Sequence, residues 1–281
     1  MLLLDEKDLE LARRIIENSI RSRIKKIGAK GAIVAISGGI DSALVARLGG
    51  EALGDKVLGL ILPEEDVNLP EDVEHAKQVA EEVGINYKII KINEALEPFA
   101  RIFSSLGLDD GNRKRLTWGN VKPKVRMIIN YMVANSENRI VLGTSNKTEL
   151  LLGYSTKFGD SGVDIQPIGD LYKTQVKQLA RYIKIPKTII DKAPTAGLWV
   201  GQTDEKELGA TYEEIDKILY LLVEEGYSVK EVSQRLNVDL DSVTRIYEKM
   251  RINEHKRNSP TITRLTSMCL DKDWRYPVER E

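Results

Sequence analysis

Apolar residues recur at Leu9, Ile16, Ile20, Ile24 and Ile27 within a charged background, a helical period that predicts an amphipathic helix over about 8–28. The pattern then switches. Ala32-Ile33-Val34-Ala35-Ile36 is a short unbroken apolar run rich in β-branched side chains, as expected of a strand buried on both faces. Ser37-Gly38-Gly39 breaks it, and helical periodicity resumes from Asp41 to Leu53. The alternation continues with a strand from Val57 to Leu62, a polar loop holding Pro63 and Pro70, and a helix over about 71–83. A strand from Tyr87 to Ile92, a helix over about 120–135 and a strand from Arg139 to Leu142 follow.

Strands alternating with helices predict an α/β fold, a doubly wound parallel sheet of Rossmann-like type. Right-handed crossovers place the loops after the strands on one edge, where such sheets bind ligands. The loops starting at Ser37, Pro63 and Gly143 are therefore expected to converge. Beyond residue 160 the pattern changes. Gly159-Asp160-Ser161-Gly162 reads as a turn-rich loop, and a helix is predicted over about 173–183. The segment 193–209 carries Gly197, Gly201 and Gly209 around Leu198, Trp199 and Val200, as in a mobile loop with an apolar tip. Helices are predicted over about 211–225, 228–236 and 240–253. The expected organisation is one domain over 1–281, with its core sheet in about 30–170, a mobile loop in about 195–208 and a helical part in about 211–265.

Composition narrows the function classes. Lys and Arg total 42 against 43 Asp and Glu, so no global charge draws the chain to nucleic acid or to an acidic membrane. No stretch approaches the roughly 18 uncharged apolar residues of a membrane span, and Met1-Leu2-Leu3-Leu4 is too short for a signal-peptide core. Cys269 has no partner for an internal disulfide and stands in no nucleophile motif, which fits a reducing cytoplasm. The pair of helices from Ser228 to Lys249 resembles a helix-turn-helix. Its second helix sets Asp239, Asp241 and Glu248 against Arg245 and Lys249, so a packed helical hairpin is expected instead. His75 and the run Arg113-Lys114-Arg115 read as solvated surface, and Trp118 and Trp274 as core or interface residues.

The sharpest local signal is strand, Ser37-Gly38-Gly39-Ile40-Asp41-Ser42, helix. Glycines let backbone N–H groups approach an anion, and the helix that follows adds its positive end. Ser37 and Ser42 can donate hydroxyls to phosphate oxygens. Asp41 would repel a bare phosphate, so its presence suggests a bridging Mg²⁺. There is no Lys where the nucleotide loop G-x-x-x-x-G-K-[ST] has one. The loop resembles the SGGxDS pyrophosphate loop of ATP pyrophosphatases, a superfamily that includes GMP synthetases, argininosuccinate synthetases and tRNA-modifying enzymes.

A second block chooses among them. Gly143-Thr144-Ser145-Asn146-Lys147-Thr148-Glu149 is followed by Gly153-Tyr154-Ser155-Thr156-Lys157-Phe158-Gly159-Asp160 and Asp164-Ile165-Gln166-Pro167-Ile168. With Ala193-Pro194-Thr195-Ala196, Leu208-Gly209, Tyr212, Ile215-Asp216 and His255-Lys256-Arg257, this run resembles the ammonia-dependent NAD synthetase family over roughly residues 10–265. The resemblance implies the adenine nucleotide alpha hydrolase type of fold with C-terminal helices. It implies that Ser37, Gly38, Gly39, Asp41 and Ser42 hold ATP pyrophosphate, that Thr144, Lys173 and Thr195 contact ATP, and that Asp41 and Glu149 bind Mg²⁺. It implies that Lys124, Lys157, Asp164, His255 and Lys256 contact deamido-NAD. Lys124 stands where the family usually has Arg, and Arg126 is a nearby substitute. The loop Pro63-Glu64-Glu65-Asp66 is acidic where relatives often carry basic or Ser/Gln residues, which departs from the family's usual ATP contacts. A homodimer with the dinucleotide site at its interface is also implied.

The implied reaction converts deamido-NAD, ATP and ammonia to NAD, AMP and pyrophosphate through an acyl-adenylate. Asp160, beside Lys157, is the expected group to bind or deprotonate ammonium, and the segment 195–208 the expected lid, with Trp199 as its plug. With no room for a glutaminase domain in this sequence, free ammonia is the expected nitrogen donor, unless another chain supplies it.

Overall fold

In the four short strands, successive side chains face opposite helical layers, so the sheet has a core on each side. The strands are β1 (Gly31–Ala35), β2 (Val57–Ile61), β3 (Asn86–Ile89) and β4 (Arg139–Leu142), all parallel, in the order β3-β2-β1-β4. Ala32, Val34, Ile61 and Leu142 face one core, while Ile33, Leu58, Leu60 and Val141 face the other. This is the doubly wound arrangement that the apolar runs predict. The computed structural model describes residues 2–65, 67–107, 111–258 and 260–266. Cys269 and Trp274 lie outside the described residues.

Fourteen α-helices are present among the described residues, and a short 3₁₀ turn over Gly54–Lys56. The helices begin with α1 (Glu6–Ile27), α2 (Ile40–Leu53), α3 (Pro70–Val83), α4 (Asn93–Ser105), α5 (Asn112–Gly119) and α6 (Val121–Glu137). Next come α7 (Lys147–Leu152), α8 (Lys173–Tyr182), α9 (Lys187–Ile190) and α10 (Asp204–Leu208). The chain continues through α11 (Tyr212–Val223), α12 (Val229–Leu236), α13 (Leu240–Ile252) and α14 (Glu254–Arg257). Helices α4, α5, α7, α9, α10 and α14 occupy stretches where the sequence predicts none. The strand predicted to Ile92 ends at Ile89, although Ile90 and Ile92 still donate N–H bonds to Ile61 and Pro63 along the same extended path. Ile27 is 53% exposed rather than core, because α1 ends there on a left-handed Gly28.

One surface expectation is corrected. The side chain of His75 is only 12% exposed and its Nδ1 is buried without a partner. Arg113 and Arg115 are exposed as expected, and Arg115 also stacks over the Trp199 ring at 4.9 Å. Trp118 packs on the second core with its ring 5.3 Å from Phe103. The helical hairpin buries Val232, Val243 and Ile246 in a third core with Leu152, Tyr172 and Ile215, so its apolar faces serve packing. Among the described residues no helix is long and apolar enough to cross a membrane.

Candidate active site

The chain leaves β1 toward β2 on one side, while β4 pairs with β1 on the other. The loops after β1 and β4 therefore diverge and open a crevice at the carboxyl ends of these strands. A cavity of about 590 Å³ occupies it, and the loops starting at Ser37, Pro63 and Gly143 all contribute to its walls.

The phosphate loop is held by its own serines. The buried Ser42 hydroxyl donates to the Gly39 carbonyl at 2.9 Å and accepts the Ser37 N–H at 3.1 Å. The Ser37 hydroxyl lies 3.1 Å from it and accepts the Gly39 N–H at 3.3 Å. The first N–H groups of α2 stand behind the loop, where a helix start favours an anion. Gly38 has φ +81°, and a Cβ there would lie 2.4 Å from the Asp72 carbonyl oxygen. Gly38→Ala is therefore expected to cost about 1–3 kcal/mol and to raise the KM for ATP, read by urea unfolding and steady-state kinetics. Wild-type values for both would remove the close approach from the account.

Three charges meet beyond the loop. Lys173, 2% exposed at the start of α8, reaches Asp41 of α2 and lies 3.4 Å from Glu149 of α7. Burial opposes the charge on Lys173, but Asp41 and then Glu149 outweigh it, so its pKa lies above the usual lysine value. Glu149 is pushed up, first by burial and then by the negative charge of Asp41, with Lys173 opposing. Two carboxylates thus share one buried ammonium, leaving the pair short of positive charge.

Residues to which the sequence reading assigned no role hold this cluster. Asn146, fully buried, donates its amide to Asp41 Oδ1 at 2.9 Å and caps α7 by accepting the Glu149 N–H at 3.0 Å. Its signal was the Asn146-x-x-Glu149 capping spacing. Asp216, also fully buried, accepts the Thr148 hydroxyl at 2.5 Å and the Thr174 N–H at 2.7 Å, which ties α8 to α7. The Tyr212 ring lies 5.1 Å from Lys173 Nζ, and its hydroxyl donates to Asp204 at 3.1 Å. Asn130 also lines the cavity, with its buried Oδ1 unpartnered.

The structure brings Ser37, Gly39, Asp41, Ser42, Thr144, Glu149, Asp160, Lys173, Thr195 and Lys256 to one cavity. Asp160 accepts the Thr156 N–H at 2.8 Å. Its side chain is exposed toward the cavity, and partial desolvation by the surrounding protein raises its pKa against the pull of that N–H and of Lys256. Lys256 donates to the Gly153 and Ser155 carbonyls at 2.7 and 2.9 Å, and burial lowers its pKa. Lys124, Lys157, Asp164 and His255 are not among the cavity walls. Lys124 is exposed on α6, whereas Arg126 lines the cavity and donates to the Leu62 carbonyl at 3.0 Å. Lys157 donates to the His255 carbonyl at 2.7 Å, and Asp164 accepts the Val141 N–H at 2.7 Å on the outer edge of β4, along which the backbone of Asp164 and Ile165 also pairs.

The segment 193–209 closes over the cavity. Trp199 and Leu198 are half-buried against Gly119, and Val200 at the tip is 74% exposed.

A doubly wound sheet with a glycine phosphate loop at its switch point, facing an acidic pair and a buried lysine, defines a nucleotide-binding α/β protein that works on phosphate chemistry. The signature of the NAD synthase family matches residues 12–260. An NH(3)-dependent NAD(+) synthetase of Methanococcoides burtonii is 45% identical, with 95% of this chain and 99% of the relative covered. One from Methanocaldococcus jannaschii is 47% identical over 87% of this chain and 93% of its own. The solved structure of an NMN synthetase from Francisella tularensis superposes with a TM-score of 0.79 at 34% identity, covering 92% of this chain and 99% of that one. The chain belongs to the NAD synthase family.

Proposed function

We propose that the protein is an ammonia-dependent NAD synthetase that amidates deamido-NAD at the expense of ATP, with the Asp41–Lys173–Glu149 cluster beside the phosphate loop as the observation that supports this reading most strongly. The carboxylate of deamido-NAD attacks the α-phosphorus of ATP and pyrophosphate leaves. Charge gathers on the leaving group, where the loop amides and Lys173 face it. Ammonia then attacks the acyl carbon, and AMP leaves with one carboxylate oxygen. Asp160 is assigned to hold ammonium and take its proton; its raised pKa makes it a stronger base than an ordinary aspartate.

Asp41 and Glu149 suit Mg²⁺. They are hard oxygen donors whose mutual repulsion a cation relieves, and Mg²⁺ completes its shell with water and substrate phosphates. The ion supplies charge neutralisation on the phosphates. A raised carboxyl pKa means that the metal must displace a proton from Glu149. Mg²⁺ affinity is therefore expected to rise about tenfold per pH unit below that raised pKa and to level off above it. Titration calorimetry across pH reads this directly; an affinity flat with pH would take Glu149 out of the metal site.

The residues outside the cavity fit a dinucleotide that reaches beyond one subunit. Lys124, Ile128 and Met132 fall one turn apart on the exposed side of α6, the last two 52% and 63% exposed. Phe99 and Ile102 on neighbouring α4 are 40% and 58% exposed. This apolar face supports a homodimer in which Lys124, Lys157, Asp164 and His255 meet the part of deamido-NAD that leaves the cavity. The lone Cys269 supports a cytoplasmic setting.

The test is AMP release from Mg-ATP and ammonium with deamido-NAD, and with its mononucleotide acid as the competing arm. Release that depends on deamido-NAD is expected. Preference for the mononucleotide would reassign the substrate.

A further inference from the structure

The structure shows what the acidic loop after β2 holds. Glu64 and Lys122 form an ion pair at 2.8 Å with side chains only 9% and 5% exposed. The same Lys122 ammonium donates to the Leu198 carbonyl in the segment over the cavity, at 2.7 Å. Glu64 is itself fixed, because its N–H donates to Asn68 Oδ1 at 2.8 Å and its carbonyl accepts the Asn68 N–H at 2.9 Å. Asn68 Oδ1 also accepts Arg126 at 3.2 Å. On the far side of the peptide chain, the Leu198 N–H donates to Gln202 Oε1 at 2.8 Å. Both polar backbone groups of Leu198 are therefore held, and its side chain and Trp199 are pressed on Gly119.

A buried ion pair is a poor source of net stability, because desolvation offsets most of its attraction; its best-attested use is to specify one arrangement. Glu64 Oε2 is buried with no partner, so this pair is not even fully satisfied. What it specifies is where the 193–209 segment sits. We propose that Glu64 and Lys122 are positioning residues that brace this segment shut over the activated substrate, so that ammonia rather than water meets it. The proposal rests on the acyl-adenylate reading. When the brace fails, water attacks the acyl carbon, AMP leaves and deamido-NAD is regenerated. The balance is then ATP plus water to AMP plus pyrophosphate, with no NAD made.

The readout is the ratio of AMP to NAD formed from Mg-ATP, deamido-NAD and ammonium. The double variant Glu64→Leu/Lys122→Met removes both charges together and so avoids a stranded buried ion. The wild type is expected to give a ratio of about one, and the double variant at least about threefold more. Thermal unfolding checks that the variant is folded. If it is not, Glu64→Gln, which keeps the shape and loosens the grip on Lys122, takes its place, with a ratio above one supporting the brace. A ratio that stays at one in a folded variant, whatever its rate, would overturn the proposal, since a merely structural pair lowers rate without uncoupling. A wild type that releases no AMP with deamido-NAD would defeat the reaction itself, and the brace with it.

Discussion

Lys173→Met is expected to lower turnover by at least about 10³-fold and to destabilise the protein by about 3–5 kcal/mol at neutral pH. Both effects come from one geometry. Lys173 is 2% exposed and is the shared counter-ion of Asp41 and Glu149. Methionine fills similar space but leaves two carboxylates facing each other with no cation between them. The sign of the pH dependence follows from Glu149, whose pKa is already raised by burial and by Asp41. Without Lys173 it rises further, so the folded state binds a proton that the unfolded state does not, and stability falls as pH increases through that raised value. Glu149 is already pushed up to about 8 in the wild type, so the penalty of the variant is expected to stay level in mild acid and to grow as pH rises above about 8. Urea unfolding of both proteins at several pH values measures it. A penalty independent of pH would show that the carboxylates do not sense each other.

Asp41→Ala is expected to abolish turnover to a similar degree, at least about 10³-fold, while changing stability by only about 1–2 kcal/mol. Glu149 stays within reach of Lys173 as its counter-ion, and removal of Asp41 ends the repulsion that raises the Glu149 pKa. The main loss is the acceptor of the Asn146 amide at 2.9 Å. The same cluster thus yields two variants alike in activity and unequal in the stability they lose. Retained turnover in Asp41→Ala would take Asp41 away from the phosphate chemistry.

The sheet and the phosphate loop were legible because their signals are local. The β-branched run before Ser37 and the glycines after it each carry their own reason for strand and turn. Helices α4 and α5 were not: Leu96, Phe99 and Phe103 of α4 recur at helical spacing but Pro98 interrupts the pattern, and α5 has no apolar stripe. The site was legible where one motif supplied it and opaque where distant segments meet. Lys122 looked like any helical lysine, since its partners Glu64 and Leu198 come from other loops. Helical geometry did hold one usable hint. Lys122 and Arg126 are four residues apart and share a face, whereas Lys124, two residues from each, points the other way. Burial in the structure follows that division, with Lys122 and Arg126 inward and Lys124 exposed. Asp204 and Tyr212 joined the Lys173 cluster through the fold of α10 and α11, which no spacing along the chain announces.

The central claim is that the glycine loop and its charged neighbours direct attack to the α-phosphorus of ATP. Deamido-NAD labelled with ¹⁸O in its carboxylate tests it most directly, with the products read by mass spectrometry. One labelled oxygen is expected in AMP and one in the amide of NAD, alongside unlabelled pyrophosphate. ADP and labelled orthophosphate as the products would contradict the account.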